Sequence, residues 1–181
     1  MNNKGKVYMI ADTHFGDDGS IIRYEKRPFA NELEMRKALI ENWNKVVGPE
    51  DTVYHLGDFA SNLSWEETKQ SVEALNGRKI LIMGNHDQHF SPRQWLDMGF
   101  EEVYPLPVIY QGFYMLSHEP LYVNWASPYA NVFGHVHANP AYRDYSERSF
   151  CVCVERHGYA PVDFEVIKGA ILGESSRKSQ M

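Results

Sequence analysis

Short apolar runs alternate with amphipathic segments along the first half of the chain. Three of the runs have the length and composition of buried strands: Lys6–Ile10, Thr52–Leu56 and Lys79–Met83. A helix with one apolar stripe is predicted after the capping pair Asn31 and Glu34, and a second helix over about Ser64–Leu75. A third, shorter helix is predicted over Ser91–Gly99. This alternation indicates parallel strands joined by helices.

Consecutive strands replace this alternation in the second half of the chain. Val108–Tyr110 and Phe113–Ser117, separated by Gln111-Gly112, predict a hairpin. Three further strands are predicted: Asn131–Phe133, Phe150–Val154 and Phe164–Ile167. The whole pattern predicts an α/β fold in which two mixed β-sheets pack face to face as a sandwich flanked by helices. We expect one domain over residues 1–173 and a polar C-terminal tail over residues 174–181.

Composition and charge narrow the class of protein. The chain has 181 residues, 43% of them apolar, and its 18 basic and 24 acidic side chains give a net charge of −6. This acidity argues against an extended nucleic-acid footprint, which needs a basic face. No apolar stretch is long enough to cross a bilayer. We therefore expect a cytoplasmic protein with no membrane partner, and the oligomeric state is left open.

The two cysteines, Cys151 and Cys153, are separated by one residue in a predicted strand. Their side chains are therefore expected on the same face. They lack the Cys-x-x-Cys spacing of a metal site. The simplest interpretation is a pair of small buried apolar side chains.

Polar residues gather where five predicted strands end. The segments are Asp12-Thr13-His14, Gly57-Asp58, Gly84-Asn85-His86-Asp87, Ser117-His118 and Gly134-His135-Val136-His137. In α/β sheets, ligands bind outside the carboxyl ends of the strands, so these ends can converge on one site. The glycines at 57, 84 and 134 allow the tight turn from strand to loop.

Seven oxygen and nitrogen donors in these segments are candidate metal ligands: Asp12, His14, Asp58, Asn85, His118, His135 and His137. Seven donors exceed what one tetrahedral ion takes and fit two divalent ions that share a carboxylate. Carboxylate, amide and imidazole donors without thiolate favour Mn, Fe, Co, Ni or Zn. Two such ions activate a water and clamp phosphoryl oxygens, so no serine or cysteine nucleophile is needed.

The five motifs, in this order, resemble those of the calcineurin-like metallophosphoesterase superfamily: D-x-H, G-D, G-N-H-D/E, H and G-H-x-H. They span Asp12 to His137, about two-thirds of the chain, and the likeness is to the small single-domain bacterial or phage phosphoesterases. The resemblance implies a fold of two β-sheets flanked by helices. It also implies a role for each motif residue. The ligands implied for one ion are Asp12, His14 and His137, and those implied for the other are Asn85, His118 and His135, with Asp58 bridging. His86 is the implied proton donor to the leaving oxygen.

The activity implied is that of a dinuclear metal-dependent phosphohydrolase, either a phosphodiesterase or a phosphomonoesterase. Its expected partner is a small phosphorylated substrate, nucleotide-like, attacked by a hydroxide that bridges the two ions. Protein phosphatases of the superfamily extend the second motif to G-D-x-x-D-R-G, and this chain has Ser61 and no arginine there, so that class is not expected. The alternative function is a non-catalytic, metal-binding interaction scaffold of the same fold.

Several other polar residues have more than one interpretation. Arg23 and Arg27 follow the first motif, where a guanidinium suits substrate phosphate, although pairing with surface acids is the ordinary alternative. Asp87 either orients a metal ligand or caps its loop. His55 is predicted to be structural, and His89 to be an exposed loop residue.

Overall fold

The computed structural model describes residues 5–124, 126–142, 146 and 148–178. Its strands are β1 Val7–Ile10, β2 Thr52–His55, β3 Arg78–Ile82, β4 Glu102–Tyr104, β5 Val108–Tyr110, β6 Tyr114–Ser117, β7 Ala130–Phe133, β8 Ser149–Cys151 and β9 Val162–Asp163. Its helices are α1 Ser20–Tyr24, α2 Glu32–Val46, α3 Trp65–Glu73, α4 Pro92–Asp97 and α5 Phe164–Lys178. Short 3-10 turns lie at His86–His89, Pro140–Tyr142 and Val154–Arg156.

The strands form two mixed sheets, as predicted. The first has the order β4-β3-β2-β1-β9, in which β1 to β4 are parallel and β9 is antiparallel. The second has the order β5-β6-β7-β8, in which only β5 is antiparallel. Because β1, β2 and β3 run parallel, their carboxyl ends lie along one edge of the first sheet. The predicted α/β sandwich is confirmed.

Apolar side chains of both sheets pack together between them. Met9 and Leu56, on the side of the first sheet, pack against Leu116 and Val132 of the second sheet. Ile167 of α5 belongs to the same cluster. Each such side chain contributes about 1.5–3 kcal/mol through burial. A separate aromatic cluster lies on the helical side of the first sheet and contains Trp43, Phe59, Trp95 and Phe100. The first sheet therefore lies between two packed apolar clusters.

Two of the predicted strands differ from the structure. Phe164–Ile167 is the start of helix α5, because Phe164, Ile167 and Ile171 recur at helical spacing and bury one face. The strand predicted over Phe150–Val154 ends at Cys151, and the chain turns at Val154. Helix α5 continues to residue 178, inside the predicted tail, and residues 179–181 lie outside the described chain. Helix α1 and strand β4 were not predicted.

Both cysteines are buried, as predicted, with their sulfur atoms 3.2 Å apart. A pairing of Ala11 with Cys153 joins the end of β1 to the segment after β8. The cysteine pair therefore packs where the two sheets meet.

His55 at the end of β2 is buried and joins the loop after β1. Its Nε2 lies 3.0 Å from the Thr13 hydroxyl, which donates to the Phe59 carbonyl at 2.8 Å. The hydroxyl hydrogen of Thr13 is therefore used in the bond to Phe59, so Nε2 of His55 must carry the proton and donate to the hydroxyl oxygen. Nδ1 is buried without a hydrogen-bond partner among the described residues. Burial accordingly lowers the pKa of His55 to about 3.

Because His55 is buried and neutral, we expect the free energy of unfolding to fall at acidic pH. The unfolded chain protonates His55 below its ordinary pKa of 6.5, while the folded chain does not until pH approaches 3, so stability falls as pH drops through that window. Between pH 7 and pH 5 we expect the wild type to lose about 2 kcal/mol more unfolding free energy than His55→Gln, whose amide can still donate to Thr13. Urea unfolding at both pH values, with EDTA present, measures the difference. Equal losses in the two proteins would contradict this assignment.

Candidate metal centre

The structure brings the five strand-end segments together at one edge of the sandwich. Three groups of side chains each place one ligand atom per residue within 4.8 Å of one another. The groups are Asp12, His14 and His137; Asp58, His118 and His135; and His14, Asp58 and His86. Because the groups share His14 and Asp58, they form one continuous cluster. All six of the predicted Asp and His ligands belong to it.

The backbone of these segments adopts a conformation that L-residues rarely take. Eight non-glycine residues in the described chain have positive φ, and five of them are predicted ligands: Asp12, His14, Asp58, His135 and His137. Left-handed backbone at non-glycine residues is strained by about 1–3 kcal/mol each and concentrates at functional sites. At each of these residues the left-handed backbone turns the side chain away from the direction of the preceding strand and toward the shared cluster.

Two of the glycines keep the loops close to one another. A Cβ on Gly84 would lie 2.3 Å from the Asp58 carboxylate, and one on Gly134 would lie 2.8 Å from that of Asp12. Neither has positive φ, so both are needed for the approach of the loops rather than for a turn. Gly57, with φ of +89°, meets both requirements.

The first group consists of Asp12, His14 and His137. Oδ1 of Asp12 lies 4.0 Å from Nε2 of His14 and 3.9 Å from Nε2 of His137. Nδ1 of His14 contacts the Ser61 hydroxyl at 3.0 Å, and Nε2 is buried with no hydrogen-bond partner among the described residues. Burial lowers the pKa of His14 to about 3, so the ring is neutral. An unpartnered neutral imidazole nitrogen that faces two carboxylates fits a divalent cation.

The second group is centred on His118. Its Nδ1 donates to the Leu56 carbonyl at 2.8 Å, which directs Nε2 toward the cluster. Three polar atoms surround that Nε2: Asn85 Oδ1 at 3.1 Å, His135 Nδ1 at 3.1 Å and Asp58 Oδ2 at 3.3 Å. Asn85 therefore lies beside the other candidate ligands.

The second group needs positive charge. Burial lowers the pKa of His118, but the hydrogen bond to Asp58 and the charges of Asp12 and Asp58 outweigh it and raise that pKa to about 9. A proton on His118 Nε2 supplies the positive charge when no ion is bound. A divalent cation held by these same atoms would replace that proton. The donor set therefore fits a metal ion.

Asp58 lies between the two groups. Its Oδ2 is 3.3 Å from His118 Nε2 and 3.6 Å from His14 Nε2, while its Oδ1 accepts the backbone N–H of His86. Burial would raise the pKa of Asp58, but His118 and His14 hold it well below its ordinary range. The ionised carboxylate is thus available to both groups, which is the geometry that a bridging ligand needs.

Asp87 caps the loops, and among the described residues its side chain forms hydrogen bonds only with backbone N–H groups. Its carboxylate accepts the backbone N–H groups of Asp58 and Gly84, both at 2.8 Å, and of Phe59 at 2.9 Å. The Asp87 carbonyl accepts from the Trp95 indole at 3.0 Å. Asp87 therefore caps these loops, and by accepting the N–H of Asp58 it also positions a candidate metal ligand, so the two interpretations left open by the sequence are compatible.

Arg27 is buried beneath the first group, so its predicted contact with substrate is wrong. Its guanidinium donates to the carbonyls of Asp12 at 2.7 Å and Thr13 at 3.2 Å. It also donates twice to one oxygen of Glu155, at 2.9 and 2.5 Å. The guanidinium is 0% exposed and cannot reach a ligand. Its partner is Glu155, more than a hundred residues away along the chain.

Glu155 orients His137. None of the sequence motifs includes this residue. The oxygen that binds Arg27 also accepts from Nδ1 of His137 at 2.9 Å, which leaves Nε2 free to face Asp12. Burial would raise the pKa of Glu155, but His137 and Arg27 lower it to about 2. A carboxylate that fixes the tautomer and orientation of a ligand histidine is a common arrangement around protein metal sites.

Replacing Glu155 with Gln should weaken metal binding at the first group. The amide of glutamine can donate as well as accept, so it does not fix Nδ1 of His137 as the protonated nitrogen, and it leaves the charge of Arg27 without a partner. If two ions bind, we expect a 10–100-fold loss of affinity for the one held by the first group. Calorimetric titration with Mn²⁺ measures both affinities. Glu101→Gln, which removes an exposed partner of Arg78, is the matched control and should change neither. Two unchanged affinities in Glu155→Gln would contradict the role.

The remaining predicted residues lie at the surface. His86 is exposed, and its ring packs edge-on against His14 with 5.0 Å between ring centroids. His89 is exposed, as predicted, and contacts the His86 carbonyl. Arg23 lies exposed in the last turn of α1, where nothing described tests its predicted contact with substrate.

The fold and the site together define an α/β sandwich with Asp and His side chains clustered at its strand ends, in an arrangement able to hold a divalent cation. The sequence profile of the calcineurin-like phosphoesterase family matches residues 5–159. The chain therefore belongs to that family, whose members typically bind divalent metals and whose name indicates phosphoester hydrolysis.

Two proteins and one solved structure are similar to this chain over different lengths. The uncharacterised protein MJ1445 of Methanocaldococcus jannaschii is 36% identical over 174 residues, covering 90% of this chain and 89% of that protein. The Gene 66 protein of Mycobacterium phage L5 is 38% identical over 88 residues, covering 45% of this chain and 39% of that protein. The crystal structure of a protein of unknown function from Aquifex aeolicus, AQ665, has a TM-score of 0.71 at 29% identity, covering 92% of this chain and 100% of that chain.

None of the helices in the described part of the chain is both long and apolar enough to cross a membrane. The cytoplasmic location stays a prediction.

Proposed function

We propose that the chain is a dinuclear metal-dependent phosphohydrolase that cleaves a small, nucleotide-like phosphate ester. The observation that carries this proposal is the position of Asp58, whose carboxylate lies between two groups of donors. Together the groups offer more ligands than one tetrahedral ion takes. Mn, Fe, Co, Ni and Zn all suit such oxygen and imidazole donors.

The two groups of donors would each hold one cation. Asp12, His14 and His137 are the candidates for one ion, Asn85, His118 and His135 for the other, and Asp58 for both. When bound, two such ions lower the pKa of a water and neutralise charge on the phosphoryl oxygens. The chain itself supplies rigidity: hydrogen bonds accepted by Asp87 and Glu155 and donated by Arg27 fix the loops before substrate arrives. Preorganisation of this kind lowers the barrier because no loop must rearrange during the reaction.

His86 is suited to donate a proton to the leaving oxygen. Its backbone N–H is held by Asp58 at 2.9 Å, so the residue is anchored to the cluster while its ring is exposed at the rim. Within the described chain, neither ring nitrogen forms a hydrogen bond with another residue. A ring that is anchored, exposed and free can contact a bound ester and act as a general acid. A purely structural metal scaffold would not need it.

A panel of phosphate monoesters and diesters, tested with protein loaded in turn with Mn, Ni, Co, Zn and Mg, tests the proposed function. We expect hydrolysis of at least one ester class with a transition metal and none after treatment with EDTA. Binding of metal without hydrolysis of any ester would contradict the proposal and favour the non-catalytic scaffold.

A further inference from the structure

A cavity of about 220 Å³ opens directly beside the second group of donors. Asn85 and His118 belong both to its lining and to the candidate metal centre. A phosphate at the metal centre would therefore place one of its ester groups at the mouth of the cavity. Hydrolysis needs only the phosphoryl group at the metal centre, so the cavity is available to the rest of the substrate.

Much of the cavity wall is apolar and comes from three segments of the chain, which follow β3, β4 and β6. They include Met83, Pro105, Leu106, Pro107 and Leu121. Leu106 is 72% exposed, which makes it one of the most exposed large apolar side chains of the described chain. A protein cavity of about 150 Å³ accommodates benzene, so 220 Å³ holds one ring system with substituents. An apolar ring would cover Leu106 and remove it from water.

Two polar side chains in the lining set the chemistry of that ring. Gln88 and Glu119 are both exposed, and no described residue forms a hydrogen bond with either side chain. An ionised Glu119 only accepts hydrogen bonds, whereas the amide of Gln88 both donates and accepts. The carboxylate would repel a second phosphate and would attract a ring that carries N–H donors. A nucleobase with an exocyclic amino group has this chemistry.

The proposed proton donor does not line the cavity. The ring of His86 packs against His14, and His86 is not part of the lining. Asp58 separates that side of the cluster from His118. The ester group in the cavity is therefore not the one whose oxygen His86 protonates.

From this arrangement we propose that the cavity binds the ester group that stays on phosphorus, a planar, amino-bearing ring such as a nucleobase. The substrate is then a phosphodiester, in which the P–O bond to the other ester group breaks and water supplies the oxygen that replaces it. This inference rests on the proposed function and adds to it the substrate class and the residues that select it.

Three esters with one leaving group test the inference on manganese-loaded protein: 4-nitrophenyl phosphate, methyl 4-nitrophenyl phosphate and adenosine 5′-(4-nitrophenyl phosphate). We expect kcat/KM for the adenosine diester to exceed that for the methyl diester by about tenfold or more, since a hydrogen bond to a charged group and ring burial are both gained. Glu119→Lys should remove most of this ratio. Glu41→Lys, which makes the same change of charge in a groove on α2, is the matched control and should keep it.

The outcomes separate this inference from the function on which it rests. Hydrolysis of all three esters with equal kcat/KM for the two diesters would overturn the inference and leave the phosphohydrolase intact. A preference that survives Glu119→Lys would overturn the assignment of the cavity. Cleavage of the monoester alone would overturn the diester class, and no cleavage of any ester would overturn both proposals.

Discussion

Asp58→Asn should lower manganese content from about two ions per chain to one or fewer and reduce hydrolysis by more than about 10³-fold. Its carboxylate lies within 3.6 Å of both His14 and His118, so one substitution removes an anionic ligand from both groups. Loss of several kcal/mol of transition-state stabilisation corresponds to that reduction. Asparagine keeps an acceptor for the His86 N–H, so the loop can retain its structure.

Elemental analysis and initial rates measure the two effects of Asp58→Asn on the same sample. Asp97→Asn, which removes a carboxylate at the surface end of α4, is the matched control and should retain metal and activity. A variant at position 58 that still binds two ions tightly would show that the carboxylate does not bridge.

His86→Gln should separate catalysis from metal binding. Metal content is expected to stay near two because the seven other donors are intact, while turnover falls by about 10²–10⁴-fold, the usual range for loss of a general acid. The loss should be larger for an alkoxide leaving group, which needs the proton, than for a nitrophenolate, which departs largely unaided. His89→Gln, an exposed imidazole on the same 3-10 turn, should change turnover only a few-fold.

Two results would contradict the role of His86. Equal slowing of alkyl and nitrophenyl esters, with the chemical step rate-limiting, would exclude proton donation. Loss of an ion would make His86 a ligand, which its grouping with His14 and Asp58 allows.

Residues that act through short-range sequence patterns could be predicted. Asp12, Asp58 and Asn85 follow β1, β2 and β3, and parallel neighbouring strands must bring their carboxyl ends to one edge of the sheet. The predicted capping pair of Asn31 and Glu34 likewise depends on residues three apart, and the Asn31 side chain accepts the Glu34 N–H at 3.0 Å. In each case the physical cause lies within one segment or in the direction of neighbouring strands.

Residues that act through long-range contacts could not be predicted. Glu155 lies far from Arg27 in sequence and contacts it and His137 in the folded chain, and no local spacing links the three. The burial of Arg27 was missed for the same reason, because a basic residue in a polar loop is ordinarily exposed. The β-branched residues of Phe164–Ile167 favour a strand. In the structure the segment is helical, because Phe164, Ile167 and Ile171 pack along one face of the longer helix α5.

The central claim is that the clustered strand ends hold two divalent ions on which hydrolysis depends. The most direct test is the initial rate of hydrolysis of methyl 4-nitrophenyl phosphate as Mn²⁺ is added stepwise to metal-free protein. We predict negligible hydrolysis without metal and a rate that rises until two equivalents have been added and then levels off. Hydrolysis without metal, a break at one equivalent, or no hydrolysis at any manganese content would contradict the account.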